Sequence, residues 1–166
     1  GYGDTPDGSR AFLWTQSGGM VNLGTPQGYV HCYAYGISAD GTAIAGSCYT
    51  ASNTQYAFLW TKADGWINLG FLPGGTFSNA TAVSADGTVV VGEGDSNLGH
   101  QAFRWTKSEG IIGLGFLPNG TYSIVRGMSA DGRVVVGYSR HPKNTPRRVA
   151  EAYRWTPDDK LKKHSQ

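Results

Sequence analysis

Apolar residues come in short runs along this chain, as in Val89-Val90-Val91, Ala102-Phe103-Arg104-Trp105 and Ile111-Ile112-Gly113-Leu114, and polar clusters rich in Gly, Asp, Asn and Ser close each run. No stretch returns its apolar residues every three or four positions, so the pattern predicts strands and leaves helix without a place. Side chains alternate along a strand, which puts Phe12 and Trp14 on one face.

The runs recur in a constant order. Ser-Ala-Asp-Gly begins at Ser38, Ser84 and Ser129, in steps of 46 and 45 residues, and Ala-(Phe/Tyr)-x-Trp-Thr begins at Ala11, Ala57, Ala102 and Ala152, in steps of 46, 45 and 50. A period near 45 with four short strands has the size of a propeller blade. The predicted order within a repeat is inner strand, second strand, Trp strand and outer strand. Expected inner strands run from Tyr29, Asn79 and Ile124 to the Ser of the next Ser-Ala-Asp-Gly. The second strands are Thr88 to Gly92 and its equivalents. The Trp strands are Ala11 to Thr15, Tyr56 to Thr61, Gln101 to Thr106 and Ala150 to Thr156, and the outer strands are Met20 to Leu23, Trp66 to Leu69 and Ile111 to Leu114.

The reading is therefore all-β, a propeller-like array of four-stranded antiparallel blades, with about three and a half blades in one repeat domain. Residues 1–30 are a half blade opened by a polar loop from Gly1 to Arg10, 31–70 and 79–115 are blades, and 124–166 is an incomplete blade. Its incompleteness rests on Lys160-Leu161-Lys162-Lys163, a poor buried strand where Ile111 to Leu114 would recur. A β-solenoid of stacked layers is the alternative. Gly1-Tyr2-Gly3-Asp4 matches Gly92-Glu93-Gly94-Asp95, so the sequence is expected to begin inside a repeat.

Ala39-Asp40-Gly41 reads as a three-residue hairpin loop, with Gly in the left-handed position. Ser38 then faces Thr42, residue 36 faces 44, 34 faces 46, and Cys32 faces Cys48. Facing cysteines on adjacent strands come within bridging reach at a non-hydrogen-bonded pair, which predicts a Cys32–Cys48 disulfide if they occupy such a pair; two free buried thiols are the alternative.

The layout from Ser84 to Thr106 looks like a WD-repeat blade without its Trp-Asp dipeptide, a likeness that places the small-residue strand nearest the axis. Ala-Phe-x-Trp-Thr, Ser-Ala-Asp-Gly and Leu69-Gly70-Phe71-Leu72-Pro73-Gly74-Gly75 together resemble the extracellular HAF repeat family. The resemblance covers Arg10 to Thr156. It departs at the family's His-Ala-Phe, where the His is displaced (His100-Gln101-Ala102-Phe103) or absent. It implies a secreted or cell-surface bacterial protein and no particular reaction.

Composition adds a charge split. Residues 1–100 hold two basic and seven acidic side chains, net −5, while 101–166 hold twelve and five, net +7. Such halves attract one another or other copies. No apolar run approaches the length of a membrane-spanning helix, so no membrane insertion is expected.

Little suggests catalysis. Asp40, Asp86 and Asp131 sit before turn glycines, where Asp accepts backbone hydrogen bonds. Gly94 to Gly99 has part of a calcium loop's spacing but lacks the distant carboxylate. His31, His100, His141 and His164 occupy unrelated repeat positions, with no zinc-type spacing. No enzyme activity, metal or cofactor is expected.

Two functional classes remain. One is assembly or adhesion through pairing of repeats, with a homo-oligomer or further repeats of a longer parent as partner. The other is a glycan- or peptide-binding module using residues at the entries to the inner strands: Tyr29, His31, Phe77, Asn79, Tyr122 and Arg126. The basic patch Arg140, Lys143, Arg147 and Arg148 offers charge, without specific nucleic-acid recognition.

Overall fold

The computed structural model describes residues 1–141 and 150–163, and every regular element among them is a strand. The first blade has three strands, β1 (Tyr2–Thr5), β2 (Gly8–Thr15) and β3 (Gly19–Asn22). The second has β4 (Tyr29–Ile37), β5 (Ala43–Thr50), β6 (Gln55–Thr61) and β7 (Gly65–Gly70). The third has β8 (Ser78–Val83), β9 (Val89–Ser96), β10 (Gly99–Thr106) and β11 (Gly110–Gly115). The fourth has β12 (Tyr122–Met128), β13 (Val135–Arg140), β14 (Ala150–Thr156) and β15 (Lys160–Lys163). Within each blade consecutive strands pair antiparallel. The third and fourth blades join into one sheet only through a parallel contact between His100 and Tyr122.

Two stretches differ from the sequence reading. Residues 1–10 form β1 and the start of β2 rather than a loop, so the first blade lacks only an inner strand. Lys160–Lys163 is a strand, paired through Trp155↔Leu161 and Tyr153↔Lys163. An outermost strand is held by backbone pairing to one neighbour, and the equivalent strands β7 and β11 are themselves largely half-buried. A weakly apolar sequence is enough there.

The hairpin register also differs near the turn. Ser38 N–H donates to Ala43 O at 2.9 Å, and Gly36 faces Ala45 rather than residue 44. Asp40 causes the extra residue: its Oδ1 accepts the Ser38 hydroxyl at 2.7 Å and the Thr42 N–H at 3.0 Å. A bulge between Ala34 and Gly36 then removes one residue from the count, so Ala34 faces Gly46 and Cys32 faces Cys48. The two shifts cancel, and the Cys32–Cys48 disulfide forms with its Cα atoms 4.1 Å apart. The same Ser–Asp turn recurs at Ser84 with Asp86 and at Ser129 with Asp131. These bonds hold all three carboxyls below the usual Asp range.

The core is a set of layers between blades. Ala11, Cys32, Ile44 and Phe58 fill the first junction. Leu59, Leu72, Val90, Phe103 and Trp105 fill the second, and Val91, Leu117, Val135, Tyr153 and Trp155 the third. Two buried serines bolt neighbouring blades together. Ser78 Oγ accepts Ala57 N–H at 2.9 Å and donates to Gly70 O at 2.8 Å, and Ser123 Oγ does the same with Ala102 N–H (3.0 Å) and Gly115 O (2.6 Å). Counted back from Ser-Ala-Asp-Gly, Cys32 holds their place in the second blade. The turns are linked too: Ala39 N–H donates to Ala85 O (3.0 Å), and Ala85 N–H to Ala130 O (2.7 Å).

Candidate functional site

Tyr29, Phe77, Asn79 and Tyr122 stand at or beside the starts of inner strands and His31 and Arg126 further along theirs, and different blade junctions divide them. At the first junction His31 Nδ1 accepts the Ser9 N–H at 3.0 Å. Tyr29 packs edge-on against Tyr56 and Phe58, and its hydroxyl accepts from Asn68 Nδ2 at 3.0 Å. At the second junction Asn79 Oδ1 accepts from Gln55 Nε2 at 3.2 Å. At the third junction Phe77 and Tyr122 each stack on His100, with centroid distances of 5.8 and 4.8 Å. Arg140 lies over Tyr122 at 5.4 Å and over Tyr138 at 4.7 Å, while Arg126 lies over Tyr138 at 5.3 Å. Of the basic patch only Arg140 is placed; Lys143, Arg147 and Arg148 lie outside the described residues.

His100, Glu93 and Tyr138 were not among the sequence-predicted residues. A signal for His100 existed, because Ser9, Gln55 and His100 each stand five residues before the Trp of their strand. Each of the three touches the next blade's inner strand, through His31, Asn79 and Tyr122 respectively. His100 Nδ1 lies 3.0 Å from Asp95 Oδ1 and Nε2 lies 3.5 Å from Glu93 Oε2. The carboxylates sit on opposite ring nitrogens and do not converge. Among the described residues no group of three or more His, Cys, Asp or Glu side chains is arranged to hold a metal. The Asp95 to Gly99 loop is a tight hairpin turn, closed by the Ser96 hydroxyl on Gly99 O at 2.8 Å.

Glu93 first, and Asp95 with it, raise the His100 pKa against the opposing pull of burial. The proton is thus bound more tightly in the folded chain than in the unfolded one. Its stabilisation is fully present below the unfolded value of about 6.5 and is lost as pH rises through the higher folded value. An NMR titration of the His100 ring should show a midpoint above about 6.5, and Glu93→Gln should lower it. A midpoint unmoved by that substitution would show that the carboxylate does not hold the proton.

The outward sides of the first and fourth blades form a second candidate surface. The Trp of each strand faces the preceding blade: Trp105 is 8% exposed and Trp155 3%, packed in the second and third junctions, and Trp60 packs against the first. Trp14, with no blade before it in the structure, is 61% exposed, and Met20 beside it is exposed as well. On the fourth blade Val136 and Ala152 are exposed, where the equivalent Ala45 and Val91, and Ala57 and Ala102, are buried. Arg126, Arg140 and Arg154 are exposed on that blade. One end of the array is therefore apolar and belongs to the acidic half, and the other is basic.

The sequence matches no protein-family model and no curated protein. Solved structures do resemble the fold. TolB from Acinetobacter baumannii superposes with a TM-score of 0.64 at 14% identity, over 93% of this chain and 37% of that one. A TolB-type protein from Agrobacterium tumefaciens gives 0.64 at 14%, over 93% and 56%. An oligogalacturonate lyase in complex with manganese gives 0.53 at 13%, over 93% and 46%. This chain thus spans roughly a third to just over half of these proteins' lengths. At such identities the likeness shows the fold alone, and that fold is β-propeller-like.

Proposed function

We propose that this chain is a structural module of an extracellular or cell-surface assembly, acting in assembly or adhesion by packing blade against blade, without catalysis. The observation that carries this reading is Trp14, exposed on the first blade while its equivalents Trp105 and Trp155 are buried by a preceding blade. In the assembly the fourth blade of a second copy, or of further repeats in a longer parent, takes the preceding position and continues the array toward a closed propeller. The basic end then meets the acidic half, and guanidinium groups such as Arg154 lie against the Trp14 ring, a favourable cation–π pairing. The disulfide suits an oxidising compartment, and the HAF-like motifs point the same way. A glycan or peptide ligand at the inner-strand entries is less well supported, because Phe77 and Tyr122 each give a ring face to His100.

Light scattering of the intact chain tests the proposal. A discrete oligomer or fibre is expected in low salt, weakened in high salt as screening shortens the reach of the charges, and lost in Trp14→Ser. A strictly monomeric wild-type chain at high concentration and low salt would overturn it.

A further inference from the structure

The junction between the second and third blades joins two complete sets of four strands, but it is less fully occupied than the junction that follows. Across it Ala43 meets the turn at Gly87, where one blade later Val89 meets the turn at Gly132. Leu59 likewise stands where Arg104 stands in the third blade, two residues after the Ala of its Trp strand. The second blade thus brings less side-chain volume to its neighbour than the third does. A cleft of about 450 Å³ opens here, at the end of β10 away from His100, and a second of about 350 Å³ continues from it. Both are lined by Thr61 and Gly87, and each falls in the ~300–1,000 Å³ range of ligand-holding clefts. We propose that this seam binds a short neutral saccharide, with one sugar unit in each cleft.

The lining offers both kinds of surface that a sugar ring presents. In the larger cleft Leu59 and Trp105 are buried and Ile67 half-buried, an apolar bed for the C–H face of a ring. Asp64, Thr88, Lys107 and Ser108 are exposed around that bed, and Thr42, Lys62 and Asp86 line the smaller cleft. Carboxylates accept hydrogen bonds, ammonium groups donate them and hydroxyls do both, which suits a ligand whose own hydroxyls donate and accept at every carbon.

Charge and backbone pairing separate this ligand class from others. Lys62 and Lys107 are matched in number by Asp64 and Asp86, and the guanidinium of Arg104 is held by Glu109 at 2.7 Å. No net charge is left to draw a phosphate, a sulfate or a uronate. The Trp strands at the seam, β6 and β10, each pair with a strand on either side, so they give a peptide no free edge for strand addition. The site is separate from the inner-strand entries and does not rest on the assembly reading. It lies between two blades whose four strands are all in place, and it would serve adhesion whether or not copies of the chain pack together.

The test is amide NMR of the isotope-labelled intact chain, titrated with the methyl glycosides of glucose, galactose, mannose and N-acetylglucosamine and with cellobiose, maltose and lactose. Expected are saturable shifts of the Thr61, Asp64, Gly87 and Lys107 amides and of the Trp105 indole with at least one of these sugars. A disaccharide should bind more tightly than its monosaccharide, and high salt should leave the binding in place. Asp64→Asn should weaken it by roughly tenfold or more, as the loss of a hydrogen bond to a charged group does, and Ser108→Tyr should block the larger cleft. Both residues lie on exposed turns, so the urea midpoint should stay nearly unchanged. No saturable shift at these residues with any of the sugars would overturn the proposal, as would binding confined to a sulfated saccharide or a polyuronate, or binding undiminished in both variants. Saccharide binding by a strictly monomeric chain would sustain this inference while the assembly reading fails; an oligomer indifferent to every sugar would do the reverse.

Discussion

Truncating Phe103 to alanine should lower the unfolding free energy by about 3–5 kcal/mol, read as a fall in the urea midpoint. Phe103 is fully buried between the second and third blades, among Leu59, Ala80 and Val90, with its ring against Gly92. Its removal takes apolar contact from both blades and leaves a cavity that neighbouring strands, held by backbone pairing, cannot collapse to fill. In a repeat array the stability of each unit depends on its junctions, so the loss should reach beyond the third blade. Phe12, at the same position in the first blade, is only half-buried. Phe12→Ala should therefore cost much less, under about 1 kcal/mol. Equal losses at the two positions would show that junction packing is not what separates them.

Removing the disulfide should be nearly as costly. Cys32 and Cys48 are 16 residues apart, and closing a loop of that size stabilises by about 3 kcal/mol in the chain-entropy account. Cys32→Ala with Cys48→Ala should lose about that amount in chemical denaturation. The repeat offers a sharper comparison. Ser78 pairs with Gly94 at the corresponding place in the third blade, and there the serine bridges two blades. Cys32→Ser with Cys48→Gly should recover about 1 kcal/mol over the double alanine variant, the net worth of one buried hydrogen bond. No difference between the two variants would mean that the first junction cannot use a serine as the second and third do.

Most strands were legible because their signals are local. Ser-Ala-Asp-Gly carries its own turn chemistry, with Asp40, Asp86 and Asp131 each accepting a Ser hydroxyl and a backbone N–H. The Trp strands carry their alternation. β1 and β15 were missed because Tyr2–Thr5 and Lys160–Lys163 have weak apolar patterns, and only a neighbouring strand makes them strands. Of the residues expected at the inner-strand entries, Phe77 and Tyr122 were legible singly as ring-bearing positions. Their partnership through His100 was not, since His100 lies 22 or more residues from each along the chain and joins them only when two blades stack.

By itself, then, the sequence determined the period, the four-strand order and the places of the hairpin turns, since each follows from backbone and side-chain chemistry acting within one repeat. The pairing of Cys32 with Cys48, by contrast, came out as counted only because a longer turn and a bulge between Ala34 and Gly36 offset each other. Only the tertiary structure decided which faces are covered. Trp14 and Trp105 stand in nearly identical sequence contexts, Leu-Trp-Thr and Arg-Trp-Thr, yet one is exposed and the other buried. The difference is set by the presence or absence of a preceding blade, because burial of apolar surface depends on what the next layer places against it.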